Sequence, residues 1–168
     1  MALSQALSIK VGRKAAKKLS TEGWHPELFE LVLGASGGPK WLVLSQLDRL
    51  LFGDFLFSRK SPLALLGSSI GSWRHACATQ PDPVAALQRF QDAYLAQDYQ
   101  SARPSPSDIS AVATSILHQA IGTEGSRAMI DHPFYRTGIV TARAKGLAPG
   151  TDPRSVALGM GVSALSNA

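Results

Sequence analysis

The stretch LALLGSSIGSW, residues 63–73, begins as an apolar run and passes through small residues into a helix-like segment. Within it, Gly67, Ser69 and Gly71 fit the pattern G-x-S-x-G. Glycines beside the serine let a strand turn sharply into a helix, which leaves the hydroxyl exposed at the turn. The same pattern also occurs in ordinary tight turns, where the serine is only a turn residue. The strand-like and helix-like flanks favour Ser69 as a nucleophile here. A serine on such a sharp strand-to-helix turn is called a nucleophile elbow.

A second glycine-rich stretch, GASGGPKW at residues 34–41, has the same apolar flanks. A phosphate loop of the Walker type needs glycine before its lysine and Ser or Thr after it, whereas Pro39 and Trp41 flank Lys40. The spacing of the dinucleotide fingerprint is absent as well. Successive backbone N–H groups just before a helix can instead form an oxyanion hole. We therefore expect the 34–40 loop, through Gly37 and Gly38, to face the elbow.

Taken together, GASGGPKW and GSSIGS resemble the patatin-like phospholipases, in particular a bacterial branch of that family. Gly37, Gly38 and Lys40 fall on the family's glycine-rich loop with its basic residue, and Ser69 falls on its G-x-S-x-G serine. Trp41 stands where the family usually has glycine. The resemblance runs from about residue 8 to about residue 80.

The resemblance implies a three-layer patatin-like α/β fold with a mainly parallel central sheet. It also implies a serine acyl hydrolase that acts on lipid or phospholipid esters through a Ser-Asp dyad. In that role Ser69 attacks the ester, and the N–H groups of Gly37, Gly38 and Ile70 hold the oxyanion. Lys40 would shape the loop or contact a head group. No metal or other cofactor is implied.

One departure from the family concerns the aspartate, which lies there in an Asp-Gly motif downstream of the elbow. This chain contains no Asp-Gly dipeptide. We therefore expect residues 1–168 to be the N-terminal part of a single hydrolase domain, with the aspartate on a downstream segment or a companion chain. The chain alone would then be inactive. A histidine base is disfavoured, because His75 is close to Ser69 in sequence, His118 suits a helix surface and His132 precedes a proline.

Composition limits the other classes of function. The single cysteine, Cys77, excludes an internal disulfide and any Cys-based zinc cluster. The chain has a net charge of +5, and its basic residues are scattered apart from a group on the predicted helix over residues 3–19. No aromatic residues are interleaved with that basic group as they are in nucleic-acid sites. We interpret the basic group as a solvated helix face. The alternative is that it contacts an anionic membrane surface. We expect a cytoplasmic protein that does not bind nucleic acid.

The alternative function is a non-catalytic α/β domain, for binding or regulation, whose 34–40 loop holds an anion such as phosphate.

The periodicity of apolar residues predicts alternating strands and helices. The predicted strands are 30–33, 63–66 and 139–142; the predicted helices are 3–19, 40–52, 72–78, one from Pro83 through Tyr94, and one from Asp108 or Ser107 to Gly122. The apolar tail after residue 154 resembles the middle of a fold.

Overall fold

The computed structural model of the chain describes residues 8–143 and 152–166. Three strands and seven α-helices follow one another in these ranges: α1 (Arg13–Glu22), β1 (Leu31–Gly34), α2 (Ser45–Leu50), β2 (Leu63–Ser68), α3 (Ile70–Ala78), α4 (Pro83–Leu95), α5 (Pro106–Ile121), α6 (Gly125–Ile130), β3 (Tyr135–Val140) and α7 (Pro153–Ser166). Short 3₁₀ segments cover Pro26–Leu28 and Gly38–Leu44, and a π-helical turn covers Leu51–Phe55.

The three strands form one parallel sheet in the order β1-β2-β3. Leu31 lies opposite Ala64, and Gly34 lies opposite Gly67, so both glycine-rich turns leave the sheet at the same edge. Parallel strands require crossovers, which here contain α2 between β1 and β2 and α3–α6 between β2 and β3. The prediction of an α/β fold with a parallel sheet is confirmed.

Two predicted helices differ from those observed. The first helix runs over Arg13–Glu22 rather than 3–19, with Gly12 as its N-cap and residues 8–11 non-helical; residues 1–7 lie outside the described part. Glycine's low helix propensity makes it a start rather than an interior position. The predicted helix over 40–52 is divided into a 3₁₀ segment, α2 and a π-helical turn.

Two further boundaries also differ. The N-cap of α5 is Ser105, not Asp108 or Ser107: its hydroxyl accepts the Asp108 N–H, and the Asp108 carboxylate accepts the Ser105 N–H. This reciprocal pair is a capping box, with Pro106 at the first helical position. The third strand covers Tyr135–Val140 instead of 139–142. The helix end at Gly122 is confirmed.

The core lies on one face of the sheet. Leu63 and Leu65 of β2 point into it and are fully buried among side chains of the intervening helices. The residues that alternate with them point to the second face, where Leu33 of β1 is 68% exposed and Leu66 of β2 is 39% exposed. Among the described residues this second face remains largely open to solvent.

The backbones of the two glycine-rich turns touch. A Cβ on Gly71 would lie 2.0 Å from the carbonyl oxygen of Gly34, and a Cβ on Gly34 would lie 2.8 Å from the carbonyl oxygen of Gly71. No side chain fits in either place. The start of α3 therefore rests directly on the end of β1, which is why both stretches need glycine at the point of contact.

A buried ion pair joins the helices that follow the two turns. The Arg74 guanidinium on α3 donates to both carboxylate oxygens of Asp48 on α2, over 2.6 Å and 2.5 Å. Asp48 is fully buried and Arg74 nearly so. A paired, bidentate geometry satisfies charges that would be costly to bury singly. It fixes α2 against α3.

None of the helices in the described ranges is long and apolar enough to cross a bilayer.

We predict that Gly71→Ala destabilises the fold, because its Cβ would overlap the Gly34 carbonyl and force β1 and α3 apart. Overpacking of this kind lowers the free energy of unfolding by about 1–3 kcal/mol, measurable by urea denaturation. Gly161→Ala on α7 is the matched control, since its Cβ meets nothing within 4 Å. Equal stability of the two variants would contradict the close approach.

Candidate active site

Ser69 occupies a strained backbone conformation at the junction of β2 and α3. Its φ of 50° and ψ of −126° make it the one non-glycine residue with positive φ in the described part of the chain. Such a conformation costs on the order of 1–3 kcal/mol and persists only where the surrounding structure enforces it. The sharp turn leaves the Ser69 side chain exposed above the sheet edge. This is the backbone geometry of a nucleophile elbow.

The glycines of the pattern enforce that turn. A Cβ on Gly67 would lie 2.6 Å from the backbone nitrogen of Ser72, so the strand end and the first turn of the helix are in contact. On the other side, Gly71 touches Gly34, as described above. The Ser72 N–H donates to the Ser69 carbonyl over 2.9 Å and closes the turn. Gly67 and Gly71 thus let the strand, the turn and the helix approach one another closely.

Backbone donors surround the edge where Ser69 lies. The N–H groups at the start of a helix have no intrahelical acceptor, and Ile70 is the first residue of α3. The facing loop passes through Gly37 and then Gly38, whose φ of +53° glycine adopts without strain. Gly38 and Ser69 line the same cavity. Both predicted donor segments therefore lie at one edge of the sheet.

Lys40 and Trp41 are adjacent in the loop but differ in burial. Lys40 is exposed and has no ion-pair partner within the described ranges. Trp41 is 2% exposed and stacks on Phe90 of α4, with ring centroids 4.6 Å apart. The side chain of Trp41 therefore anchors the loop in the core.

No general base contacts Ser69 in the described part of the chain: no carboxylate or imidazole there hydrogen-bonds to its hydroxyl. Asp48 is taken up by Arg74, and Asp131 pairs with Arg127. His118 is exposed on α5. The Nδ1 atom of His132 accepts the Tyr135 N–H over 2.9 Å at the start of β3. Neither histidine supplies a base at Ser69.

His75 of α3 is buried in the core behind the elbow. It lies edge-on to the Phe52 ring, and its Nδ1 has no hydrogen-bond partner among the residues that the structure describes. Burial, with a smaller contribution from the neighbouring Arg74 charge, lowers the pKa of His75 to about 4. The imidazole is therefore neutral near pH 7 and packs as an apolar group.

Two cavities meet at Ser69, and Trp73 lies between them. One, of about 350 Å³, is lined by Gly38, Tyr94, Gln97 and Tyr99 among others. The other, of about 400 Å³, is lined by residues of α5, α6 and β3 such as Leu117, Met129 and Val140. Apart from Gly38, none of these lining residues is predicted as a site residue from the sequence. Trp73, four residues beyond Ser69 in a helix, was the one signal that could have been used.

No group of three or more His, Cys, Asp or Glu side chains within residues 8–143 and 152–166 is placed to hold a metal ion.

Comparison of the chain with protein-family models, with curated proteins and with solved structures found no match. The likeness to patatin-like phospholipases thus rests on the two glycine-rich motifs.

We predict that Ser69→Gly is more stable than Ser69→Ala by about 1–2 kcal/mol, because glycine relieves the strain at positive φ and alanine retains it. The free energies of unfolding of both variants, from urea titrations, test this. Ser68→Gly and Ser68→Ala form the control pair, because residue 68 lies in β2 and has no positive φ; there alanine should be equal or more stable. If Ser69→Ala is likewise as stable as Ser69→Gly or more stable, the backbone at residue 69 is not strained.

We predict that acidification destabilises the fold through His75. Its pKa in the unfolded chain is near 6.5, so the unfolded state binds the proton first as the pH falls. The contribution of neutral His75 to the free energy of unfolding is therefore complete above pH 6.5. As the pH falls toward 4, the free energy of unfolding decreases by up to about 3 kcal/mol. His75→Gln should remove most of this loss between pH 7 and 4.5, although His132, whose pKa burial also lowers, still contributes. An unchanged pH slope in His75→Gln would contradict the assignment.

Proposed function

We propose that this chain is the nucleophile-bearing part of a serine acyl hydrolase that acts on lipid esters. The observation that carries the proposal is the strained conformation of Ser69, held between a strand and a helix N-terminus by glycines that tolerate no side chain. A turn serine without a chemical role gains nothing from such strain, whereas an elbow exposes the hydroxyl to a substrate.

The proposed chemistry is nucleophilic attack followed by hydrolysis. The Ser69 hydroxyl oxygen adds to the ester carbonyl carbon while its proton passes to a general base. The resulting oxyanion lies at the N–H groups of Ile70 and of the Gly37–Gly38 loop, where the start of α3 also favours negative charge. Collapse expels the alcohol with a proton, and water then releases the acyl group as a carboxylic acid.

The base in this proposal is an aspartate that acts directly on Ser69, supplied by a downstream segment or a companion chain. Two observations support this: no base contacts Ser69 among the described residues, and leucines on the second face of the sheet are exposed. A helical layer on that face would complete a three-layer, patatin-like domain. We propose that this layer accompanies the aspartate.

Lipid esters as substrates fit the apolar surroundings of Ser69, because both adjacent cavities are lined mainly by apolar side chains. The basic face of α1, with Lys14, Lys17 and Lys18, is exposed and has no acidic partner in the described ranges. Such a face suits contact with an anionic membrane. We propose a cytoplasmic hydrolase that works at a membrane surface.

The second candidate function is anion binding without catalysis. Lys40 favours it, because this lysine is exposed, has no ion-pair partner among the described residues, and lies on a glycine-rich loop that presents several N–H groups beside its positive charge. In this alternative Ser69 remains a turn residue and does not react.

Reaction with a fluorophosphonate distinguishes the two functions. We predict that, in the complete hydrolase with its aspartate-bearing segment or companion chain, the probe modifies Ser69 at least tenfold faster than any other serine, as located by peptide mass analysis. Ser69→Ala should lose this label, and Ser68→Ala should keep it. Labelling spread over several serines, or unchanged in Ser69→Ala, would refute the hydrolase and leave the anion-binding domain.

Ester turnover tests the origin of the base. We predict that the isolated chain hydrolyses short-chain nitrophenyl esters little faster than Ser69→Ala does, because the aspartate is missing. Strong turnover that Ser69→Ala abolishes would place the base within the chain itself.

A further inference from the structure

The two cavities that meet at Ser69 differ in chemistry. We call the one lined by Leu117, Ile121, Met129 and Val140 the alkyl cavity, and the one lined by Gly38, Tyr94, Gln97 and Tyr99 the mixed cavity. Serines are the only polar side chains in the described lining of the alkyl cavity. Two tyrosines and a glutamine supply hydroxyl and amide groups in the mixed cavity. No charged side chain belongs to the described lining of either.

Trp73 is the partition between the two cavities, since it and Ser69 contribute to both linings. Its ring stacks on Phe90, with centroids 5.7 Å apart and planes at 26°. Phe90 is fully buried and also stacks on Trp41, which anchors the glycine-rich loop. A ring held in this way cannot swing aside without disturbing the core, so the partition is fixed.

We propose that the partition sorts the two halves of an ester: the alkyl cavity takes the acyl chain, and the mixed cavity takes the alcohol half. This inference rests on the proposed function, because it concerns the substrate of the same serine. An acyl carbonyl at Ser69 has its chain on one side and its ester oxygen on the other. An unbranched hydrocarbon chain gains most where the lining is apolar, and the alcohol half keeps hydrogen bonds beside tyrosine hydroxyls.

The size of the alkyl cavity limits the chain length. A volume of about 400 Å³ is near the lower end of ligand pockets in general, which span roughly 300–1,000 Å³. A single acyl chain of medium length fits within this volume. Each methylene buried there strengthens binding about fourfold, until the cavity is full.

Binding of hexanoate and octanoate to the full chain tests the proposal without any catalytic step. These carboxylates are products of the proposed reaction, and their affinities are measured by calorimetry. We expect octanoate to bind about fifteenfold more tightly than hexanoate, because two more methylenes are buried. Met129→Trp, which fills the alkyl cavity from α6, should weaken octanoate binding at least tenfold.

Ala113→Trp is the matched control, since it places the same side chain in the mixed cavity from α5. It should change octanoate affinity less than twofold. Ile139→Ser is a second variant of the alkyl cavity, at an exposed strand position that shares the core face with Leu65; it is useful if Met129→Trp does not fold, and it should weaken octanoate about threefold.

Several outcomes would overturn the assignment: equal weakening by Met129→Trp and Ala113→Trp, weakening by Ala113→Trp alone, equal affinity for the two acids, or no binding of either. Failure of the proposed function has a different signature. If fluorophosphonate does not modify Ser69 but octanoate binds in the alkyl cavity, the cavity assignment stands as a fatty-acid site and the hydrolase does not.

Discussion

The contact between the backbones of Gly34 and Gly71 is the constraint on which the rest of the structure depends. Because a Cβ on Gly71 would lie 2.0 Å from the Gly34 carbonyl oxygen, the end of β1 and the start of α3 occupy a space that admits only glycine. This contact brings the loop after β1 to the turn that carries Ser69. It also fixes where α3 begins, and hence the strained φ of the serine just before it.

Two interactions behind that contact hold the turns in place. The bidentate pair of Arg74 and Asp48 ties α3 to α2, so the helices that follow the two turns cannot separate without leaving a buried charge unpaired. The rings of Trp41 and Trp73 both stack on the ring of Phe90. The glycine-rich loop and the partition between the two cavities are thereby anchored to the same core residue.

Sequence reasoning found what depends on local chemistry. The G-x-S-x-G pattern predicts the strand, the turn and the helix around Ser69, because only glycine permits that backbone path. The pattern did not indicate that Trp73 separates two cavities or that His75 is a buried neutral group. Both properties depend on which residues α4, α5 and β3 place beside these side chains. The division of residues 38–55 into 3₁₀, α and π segments is likewise set by packing, as the burial of Trp41 on α4 illustrates.

A crystal structure of the chain, assembled with the part that carries the aspartate and reacted with an alkyl fluorophosphonate, tests the central claim most directly. The account predicts a phosphonyl group on Ser69 with its oxygen about 2.7–3.1 Å from the Ile70 N–H and from an N–H of the Gly37–Gly38 loop. It also predicts a positive φ at Ser69 before and after reaction. An adduct whose oxygen points away from both segments, or a Ser69 in ordinary helical or extended conformation, would contradict the assignment of this edge as an active site.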